Sequence, residues 1–349
     1  MIHLSRREYL ALALAAPALA GKRQLGRAPV ISVQDFEQYP AILTPLADFF
    51  VRNHFEAPTI DPATWRLRVG GMVERERSFS LEELQAFPRG ELTSVVECAG
   101  NGVGVGGVGC ARWEGIPFGK FLRSCGVAQG ARFVRVTGAD RGREPDAPEV
   151  PYARTLALAD ALRPETLLAL KMQGEPLRPE YGAPVRLVAA GRYGMDSVKW
   201  ITLIELMDRP DDSFYMTHRY RRVRGGNVGE PVVRIAVKSI IVKPAGNAAL
   251  RGDAVAAGGY AWAGADPIAR VDIRVDGGSW AAAELLDSPE PLVWTPWRFQ
   301  VHQLGPGIHA LEARAVSKSG EAQPLRRDPG REDDYELNQV QRVRFLSRP

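Results

Sequence analysis

Residues 95 to 109 read Val95-Val-Glu-Cys-Ala-Gly-Asn-Gly-Val-Gly-Val-Gly-Gly-Val-Gly109, a β-branched run that changes into a glycine-rich segment directly after Cys98. The glycines fit G-x-G-x-x-G twice, but they run on into Gly115 and Pro117, which interrupt any long helix. A dinucleotide fingerprint needs a helix that opens at its glycines, so the pattern does not predict a nucleotide site. It predicts a thiol at a strand end, next to backbone that can approach a bulky group closely.

The residues around Cys98 leave two interpretations open. A thiolate is a soft ligand that suits a thiophilic or high-valent metal. The alternative is a buried thiol that acts as a small hydrophobic residue, which is the commoner state of a lone cysteine. The other cysteines, Cys110 and Cys125, form no C-x-x-C pair and no haem-attachment pattern. A disulfide between them is an open alternative, because separation along the chain says nothing about the distance between their Cα atoms.

The composition excludes several classes of protein. The chain has 349 residues, of which 45% are hydrophobic and 25% are charged, so it can bury a sizeable core and is long enough for two domains. The 35 glycines and 26 prolines are scattered, which favours many turns and strands over a helical bundle. Its 45 basic and 41 acidic residues give a formal charge of +4, and no basic block is interleaved with aromatic residues. We therefore expect no nucleic-acid partner.

The first twenty residues have the order of an export signal. The pair Arg6-Arg7 precedes an apolar run from Leu10 to Leu19, and Ala18-Leu19-Ala20 matches a cleavage site. The paired arginines indicate the twin-arginine route, which exports folded proteins, so a periplasmic or otherwise exported protein is expected. The alternative is an uncleaved anchor or an amphipathic helix. No later apolar run approaches 18 residues, so we expect no stable membrane insertion.

Two regions with different patterns follow the signal. Residues 30–230 mix short strands and helices without a regular βαβ period, which predicts an α+β domain. Its predicted helices begin after Ser80 and cover residues 117–125 and 153–162. Its predicted strands cover residues 65–69, 93–97, 132–136, 185–188 and 198–206.

Residues 231–349 change to alternating strands that are separated by turn signals, a pattern typical of a β-sandwich. The predicted strands there cover residues 232–241, 258–263, 269–275, 297–301, 309–317 and 340–345. A polar stretch from 318 to 334 is predicted as a loop. The boundary between the two regions is expected near residue 230.

The motif Glu97-Cys98-Ala99-Gly100-Asn101 resembles the cysteine motif of the sulfite oxidase family of molybdopterin enzymes. Further segments match that family in order: Phe49-Phe-Val-Arg52-Asn53-His54, Trp113-Glu-Gly-Ile-Pro117, Gly138-Ala-Asp140, Gly174-Glu-Pro-Leu177, Gly182-Ala-Pro-Val-Arg186 and Ser197-Val-Lys199-Trp200. The later strands resemble the family's immunoglobulin-like dimerisation domain, with Trp294-Thr-Pro-Trp297 in the expected place. The resemblance implies a sulfite-oxidase-type molybdopterin-binding domain followed by an immunoglobulin-like β-sandwich, and a homodimer.

The same resemblance implies one molybdenum-molybdopterin per chain, with Cys98 as the protein ligand of the metal. It assigns a catalytic role to Cys98, to Arg52 as the group that holds an anionic substrate, and to Tyr220 as the group that orients it. The residues that it assigns to cofactor binding are Phe50, Arg52, Asn53, His54, Cys98, Asp140, Arg186, Ser197, Val198 and Lys199. Arginine forks suit phosphate and small oxyanions, which agrees with these assignments.

The sequence departs from the family pattern near the site. Gly102 and Val103 stand where the family has two arginines, which removes one source of positive charge and leaves the physiological substrate open. Tyr181 replaces a histidine, and Arg219 replaces an aspartate. Arginines in the segment 219–222 are candidates to restore the lost charge.

We expect an enzyme that oxidises sulfite or a related small sulfur oxyanion by oxygen-atom transfer at molybdenum. Because the sequence has no haem-attachment motif and no iron–sulfur cysteines, the electrons must leave to a separate carrier, expected to be a cytochrome c. One alternative is a sulfoxide reductase-type oxo-transferase with the same cofactor. A second alternative is a non-catalytic protein that uses an inactive cofactor domain as a scaffold.

Overall fold

A computed structural model describes residues 42–145 and 147–349. The predicted export signal at residues 1–20 lies outside the described residues, as do residues 30–41 of the predicted first domain. No helix in the described part of the chain is both long enough and apolar enough to cross a bilayer.

A five-stranded sheet forms one side of the first domain, and we call it the first sheet. It contains β1 (Leu67–Gly71), β2 (Arg77–Phe79), β5 (Phe133–Glu144), β6 (Ala147–Ala157) and β10 (Ile201–Met207). The strand order is β2-β1-β10-β5-β6, and within it β1 and β10 run parallel while the other neighbours are antiparallel. Its inward side chains, Leu67, Val134 and Ile204 among them, are fully buried in one hydrophobic cluster.

The second sheet carries the cysteine motif. It contains β3 (Gly90–Glu97), β4 (Val108–Pro117), β7 (Thr166–Met172), β8 (Glu175–Pro176) and β9 (Arg186–Ala189), all joined by antiparallel pairs. Gly115 allows β4 to approach β7, because a Cβ atom there would lie 2.0 Å from the Leu168 carbonyl oxygen. The glycine-rich segment connects β3 to β4 and continues as a strand, so it opens no helix.

The helices are short. They are α1 (Leu81–Gln85), α2 (Phe118–Ser124), α3 (Leu158–Ala161) and α4 (Phe214–Thr217), with 3₁₀ turns at Pro179–Tyr181 and Gly194–Asp196. The expected start at Ser80 is confirmed by a capping box, in which Ser80 Oγ accepts the Glu83 N–H at 3.1 Å and Glu83 Oε2 accepts the Ser80 N–H at 2.7 Å.

The helix predicted over residues 153–162 is wrong. Strand β6 occupies this segment as far as Ala157, and only residues 158–161 are helical. Five consecutive residues of β6, from Tyr152 to Leu156, are buried. The segment therefore lacks the alternation of apolar and polar residues that indicates a strand. Pairing with β5, which runs to Glu144 rather than ending near residue 136, holds the segment extended.

Two further sheets form the sandwich. One contains β13 (Lys238–Lys243), β15 (Val255–Trp262), β18 (Glu284–Leu285) and β19 (Thr295–Val301), and the other contains β14 (Ala249–Arg251), β16 (Ile268–Val275), β17 (Ala281–Ala282), β20 (Gly307–Ser317) and β21 (Gln341–Arg348). Trp297, Val271 and Leu311 are fully buried between them. The predicted boundary near residue 230 falls inside β12 (Asn227–Pro231), which forms a hairpin with β11 (Arg221–Arg224).

The two domains share a hydrophobic cluster, which we call the interdomain cluster. It joins Val95, Cys110 and Tyr193 of the first domain to Tyr260 and Trp294 of the sandwich. The backbone also connects them, because the Val95 N–H donates to the carbonyl of residue 292 at 2.7 Å. The end of β3, where Cys98 follows, therefore lies against the sandwich.

Cys110 and Cys125 form no disulfide. Both are buried free thiols, Cys110 in the interdomain cluster and Cys125 in the core beside the first sheet. Burial raises the pKa of the Cys110 thiol to about 12, as expected of an unreactive core residue.

Candidate active site

The loop after β3 is closed by hydrogen bonds on both sides of Cys98. The Cys98 N–H donates to the Gly107 carbonyl at 2.9 Å, and the Asn101 N–H donates to the Cys98 carbonyl at 2.9 Å. The Asn101 side chain accepts the Gly107 N–H at 3.0 Å and donates to Glu97 Oε1 at 3.0 Å. The Cys98 sulfur is thereby fixed at the end of a strand, and burial raises the pKa of its thiol.

A cavity borders Cys98, and we call it the inner cavity. Every site residue predicted from the sequence lines it except Val198. Val198 packs in the core beside the first sheet, and its carbonyl accepts the Leu187 N–H at 2.8 Å. Its neighbour Ser197 lines the cavity and accepts the Ala189 N–H at 3.1 Å, so this segment is held by β9.

A buried acid and a buried base face the inner cavity. Burial raises the pKa of Asp140 to about 7, and its Oδ1 atom has no hydrogen-bond partner in the described structure. Burial and the nearby Arg186 charge lower the pKa of Lys199 to about 7. The Lys199 ammonium donates to the Glu180 carbonyl at 2.9 Å and to the Asn53 side-chain oxygen.

Arg186 is a buried cation without a carboxylate partner among the described residues. Its guanidinium donates only to backbone carbonyls, of Ser197 at 3.1 Å, Tyr181 at 3.2 Å and Leu187 at 3.4 Å. It lies 4.9 Å from the centre of the Trp113 ring, and burial lowers its pKa to about 10. A buried charge without a counter-ion is costly, so this position is suited to a bound anion.

These features fit molybdopterin. The group carries a phosphate, which matches the unpaired Arg186 guanidinium and the Lys199 ammonium. Its pterin N–H groups match the orphaned Asp140 oxygen. Its metal requires a soft donor, which the Cys98 sulfur supplies. Four groups of one cavity thus match three chemical features of one ligand.

A second cavity shares Arg52, Asn53, His54, Cys98 and Tyr220 with the first, and we call it the outer cavity. Its remaining wall includes the exposed Arg143 together with Glu144 and Arg219. In the part of the chain that the structure describes, no carboxylate lies within ion-pair distance of the Arg52 or Arg143 guanidinium. The outer cavity therefore offers positive charge beside Cys98.

A cluster centred on His54 contains a residue that the sequence did not suggest, Glu144. His54 Nε2 is hydrogen-bonded to the Tyr220 hydroxyl, and His54 Nδ1 lies 3.5 Å from Glu144 Oε1. Glu144 also accepts from Tyr215 at 2.7 Å and from Arg219 at 2.9 Å. The hydrogen bond with His54 is the chief reason that the pKa of Glu144 falls to about 2, whereas burial lowers the pKa of His54.

Arg154 was also not among the predicted site residues, because its segment was predicted to be a helix. It is a fully buried cation of β6 that donates to Asp196 Oδ1 at 2.8 Å. Its guanidinium lies 5.2 Å from the centre of the Tyr220 ring, which helps to hold that ring in place. The one sequence signal for Glu144 was its even spacing from Asp140 within a strand, which is expected to place both on one face.

The arginines of the segment 219–222 restore little of the missing charge. Arg219 lines the outer cavity but pairs with Glu144, and Arg222 donates to both carboxylate oxygens of Glu336 at 2.8 Å. Val103, at one of the family's arginine positions, packs against the interdomain cluster instead. The free positive charge beside Cys98 comes from Arg52 and Arg143.

Comparison with known proteins gives two matches to family models. The model "Oxidoreductase molybdopterin binding domain" matches residues 54–215, and the model "Mo-co oxidoreductase dimerisation domain" matches residues 230–328. Sulfite oxidase of Gallus gallus is 30% identical over 316 residues, which cover 81% of this chain and 68% of that protein. The chain belongs to the sulfite oxidase family. Other members include the mitochondrial sulfite oxidase of Homo sapiens, 31% identical over 81% of this chain and 57% of its own length.

A solved relative, the sulfane dehydrogenase SoxCD from Paracoccus pantotrophus, has the same architecture as this sulfite oxidase family member, with a TM-score of 0.78. The two are 26% identical, and the match covers 88% of this chain and 82% of that one. Family membership confirms the predicted fold class and a molybdenum-dependent oxidoreductase with a molybdopterin cofactor. The sandwich is the family's dimerisation domain.

Proposed function

We propose that this protein oxidises sulfite or a related small sulfur oxyanion by oxygen-atom transfer. The observation that carries the proposal is the position of Cys98 on the wall of two adjacent cavities that present different groups. The inner cavity presents the unpaired Asp140 oxygen and the Arg186 cation, and the outer cavity presents the unpaired Arg52 and Arg143 cations. The first set suits the pterin and its phosphate, and the second suits a small anion.

In this proposal the net reaction converts the oxyanion and one water into the oxygenated product, two protons and two electrons. When bound, the molybdenum cofactor supplies the two-electron redox change and the transferred oxygen. Arg52 binds the anion in the outer cavity and offsets its charge, since its guanidinium has no protein carboxylate within ion-pair distance among the described residues. Tyr220 lies at the junction of both cavities and orients the substrate.

His54 holds the Tyr220 hydroxyl in place. Burial lowers the pKa of His54 and raises the pKa of Tyr220, so the imidazole is neutral near neutral pH, the phenol keeps its proton, and His54 Nε2 can accept the hydrogen bond from the Tyr220 hydroxyl. Glu144, beside His54 Nδ1, fixes the orientation of the imidazole. Glu144 stays ionised throughout because its pKa is about 2.

The remaining proposals concern partners and location. The sequence has neither a haem-attachment motif nor iron–sulfur cysteines, so the electrons pass to a separate carrier, for which a cytochrome c is suited. The Arg6-Arg7 pair and the apolar run after it support export in the folded state to the periplasm. The match to the dimerisation model supports a homodimer.

The test measures molybdenum content and sulfite turnover with an artificial electron acceptor for wild type, Cys98→Ser and Cys98→Ala. We expect about one molybdenum per wild-type chain, and loss of turnover in both variants. Cys125→Ala is the matched control, because Cys125 is a buried thiol of another cluster and its variant should keep metal and turnover. Retained turnover in Cys98→Ser, or faster reduction of a sulfoxide than oxidation of sulfite in wild type, would contradict the proposal.

A further inference from the structure

A buried ion pair lies directly beside Cys98. The preceding residue, Glu97, and Lys238 of the sandwich are both completely buried, and the Lys238 ammonium donates to Glu97 Oε1. Trp262 Nε1 donates to Glu97 Oε2 at 2.8 Å, and the Asn101 side chain donates to Glu97 Oε1 at 3.0 Å. Both oxygens of the Glu97 carboxylate therefore accept hydrogen bonds. Lys238 also donates to the Asn101 carbonyl at 3.1 Å.

The two donors from the sandwich stand side by side. Lys238 begins β13 and Trp262 ends β15, and the two are direct partners in the antiparallel register. Their side chains reach residues on both sides of Cys98, namely Glu97 and Asn101. The Cys98 segment is therefore held from outside the cofactor-binding domain, by one strand pair of the sandwich.

Stability alone does not explain why this pair is charged. Removing two ions from water is expensive, and a well-packed hydrophobic pair of similar volume usually stabilises a fold at least as well. What the charges supply is an electrostatic effect at the adjacent sulfur. The ammonium offsets a carboxylate that would otherwise place an uncompensated negative charge one residue from the metal ligand.

We propose that Lys238 is a positioning residue for the metal centre, which fixes the Cys98 segment and sets the local charge at the molybdenum. The inference rests on the proposed function, in which Cys98 binds the metal. Lys238 itself touches neither substrate nor cofactor in this scheme. It acts through Glu97 and Asn101, and thereby makes the sandwich a functional part of the site.

The test compares Lys238→Met, Glu97→Gln and the double variant in the purified holoenzyme. The measurement is the midpoint potential of the molybdenum from a redox titration followed by electron paramagnetic resonance, together with molybdenum content. Lys238→Met leaves the Glu97 carboxylate uncompensated, which stabilises the oxidised metal and shifts the potential lower. Glu97→Gln leaves the ammonium and shifts it higher, and the double variant returns it close to the wild-type value.

Opposite shifts are the outcome that a merely structural role cannot produce, because damage to the fold moves both variants in the same direction. Ser239→Ala is the matched control, since Ser239 is a buried residue next to Lys238 that bonds Trp297 Nε1 at 3.0 Å within the sandwich. It should lower thermal stability without moving the potential. Shifts of the same sign, or no shift in either variant, overturn the inference.

If Lys238→Met binds no molybdenum, the double variant decides. Recovery of metal in the double variant supports a charge effect, and failure to recover overturns it. The Cys98→Ser result separates the two proposals. If wild type binds molybdenum and Cys98→Ser does not, unchanged potentials in the Lys238 and Glu97 variants refute this inference and leave the proposed function intact.

Discussion

Arg52 is the cation best placed to bind an anion beside Cys98. It borders both cavities and has no protein carboxylate within ion-pair distance in the described structure. A hydrogen bond to a charged group contributes about 1.5–3 kcal/mol, which corresponds to roughly a tenfold to hundredfold effect on binding. Arg52 should therefore discriminate between anionic and neutral substrates.

We expect Arg52→Gln to raise KM for sulfite about tenfold or more, and to raise KM for a neutral sulfur substrate much less. Steady-state kinetics with both substrates measures the difference. Arg141→Gln is the control, because Arg141, on strand β5, is exposed and pairs with Glu149. Equal effects of Arg52→Gln on the two substrates would remove its anion-binding role.

Asp140 and Lys199 make the chain sensitive to pH when the cofactor is absent. Burial raises the pKa of Asp140 to about 7, so its contribution to stability is complete below its usual pKa near 4 and is lost as the pH rises to 7. Burial lowers the pKa of Lys199 to about 7. The free energy of unfolding therefore rises between pH 7 and about 10, where the folded protein holds a neutral amine and the unfolded chain still binds a proton.

Together these groups predict a stability minimum near pH 7 for cofactor-free protein from a host that makes no molybdopterin. Urea unfolding at pH 5, 7 and 9 measures it. Asp140→Asn should remove the decrease in the free energy of unfolding between pH 5 and 7, by at most about 4 kcal/mol. Lys199→Met should remove the increase between pH 7 and 9. Asp212→Asn, at an exposed carboxylate, is the control. If the free energy of unfolding falls equally between pH 5 and 7 in the Asp140→Asn and Asp212→Asn variants, the assignment is refuted.

The helices and strands that depend on neighbouring residues alone were predicted correctly from the sequence. The cap at Ser80, the strand before Cys98 and the helix at residues 118–124 all follow from signals within a few residues. The segment 153–157 was misassigned because β6 is buried from Tyr152 to Leu156, and its extended shape depends on pairing with β5. Secondary structure that is imposed by a distant strand leaves no local period to detect.

The same limit applies to the site. Motifs identified Cys98, Arg52 and Arg186, because each belongs to a short pattern of the family. Glu144 and Lys238 belong to no such pattern. They meet His54 and Glu97 only because β5 ends and β13 begins where they do, which is a consequence of sheet registers. Residues that act through long-range pairing therefore need a structure to be found.

The contacts across the domain boundary predict that the two domains unfold as one cooperative unit. Trp294 of the sandwich packs 4.7 Å from the Tyr260 ring, centre to centre, and donates to the Ile42 carbonyl at 2.8 Å. The Val95 N–H hydrogen bond and the Lys238–Glu97 pair add polar links across the same boundary. Unfolding of either domain would expose buried apolar and charged groups of the other.

We therefore expect calorimetry of the holoenzyme to show a single unfolding transition in which both domains and the bound molybdenum are lost together. Trp294→Ala removes a large buried side chain at the boundary and should cost about 3–5 kcal/mol, which lowers the temperature of that one transition. Trp280→Ala is the control, because Trp280 is a partly exposed residue that stacks on Arg274 within the sandwich and should change the transition little. Two separate transitions in wild type, or a Trp294→Ala variant in which the sandwich melts while molybdenum stays bound, would show that the domains are independent and that β13 and β15 do not support the Cys98 segment.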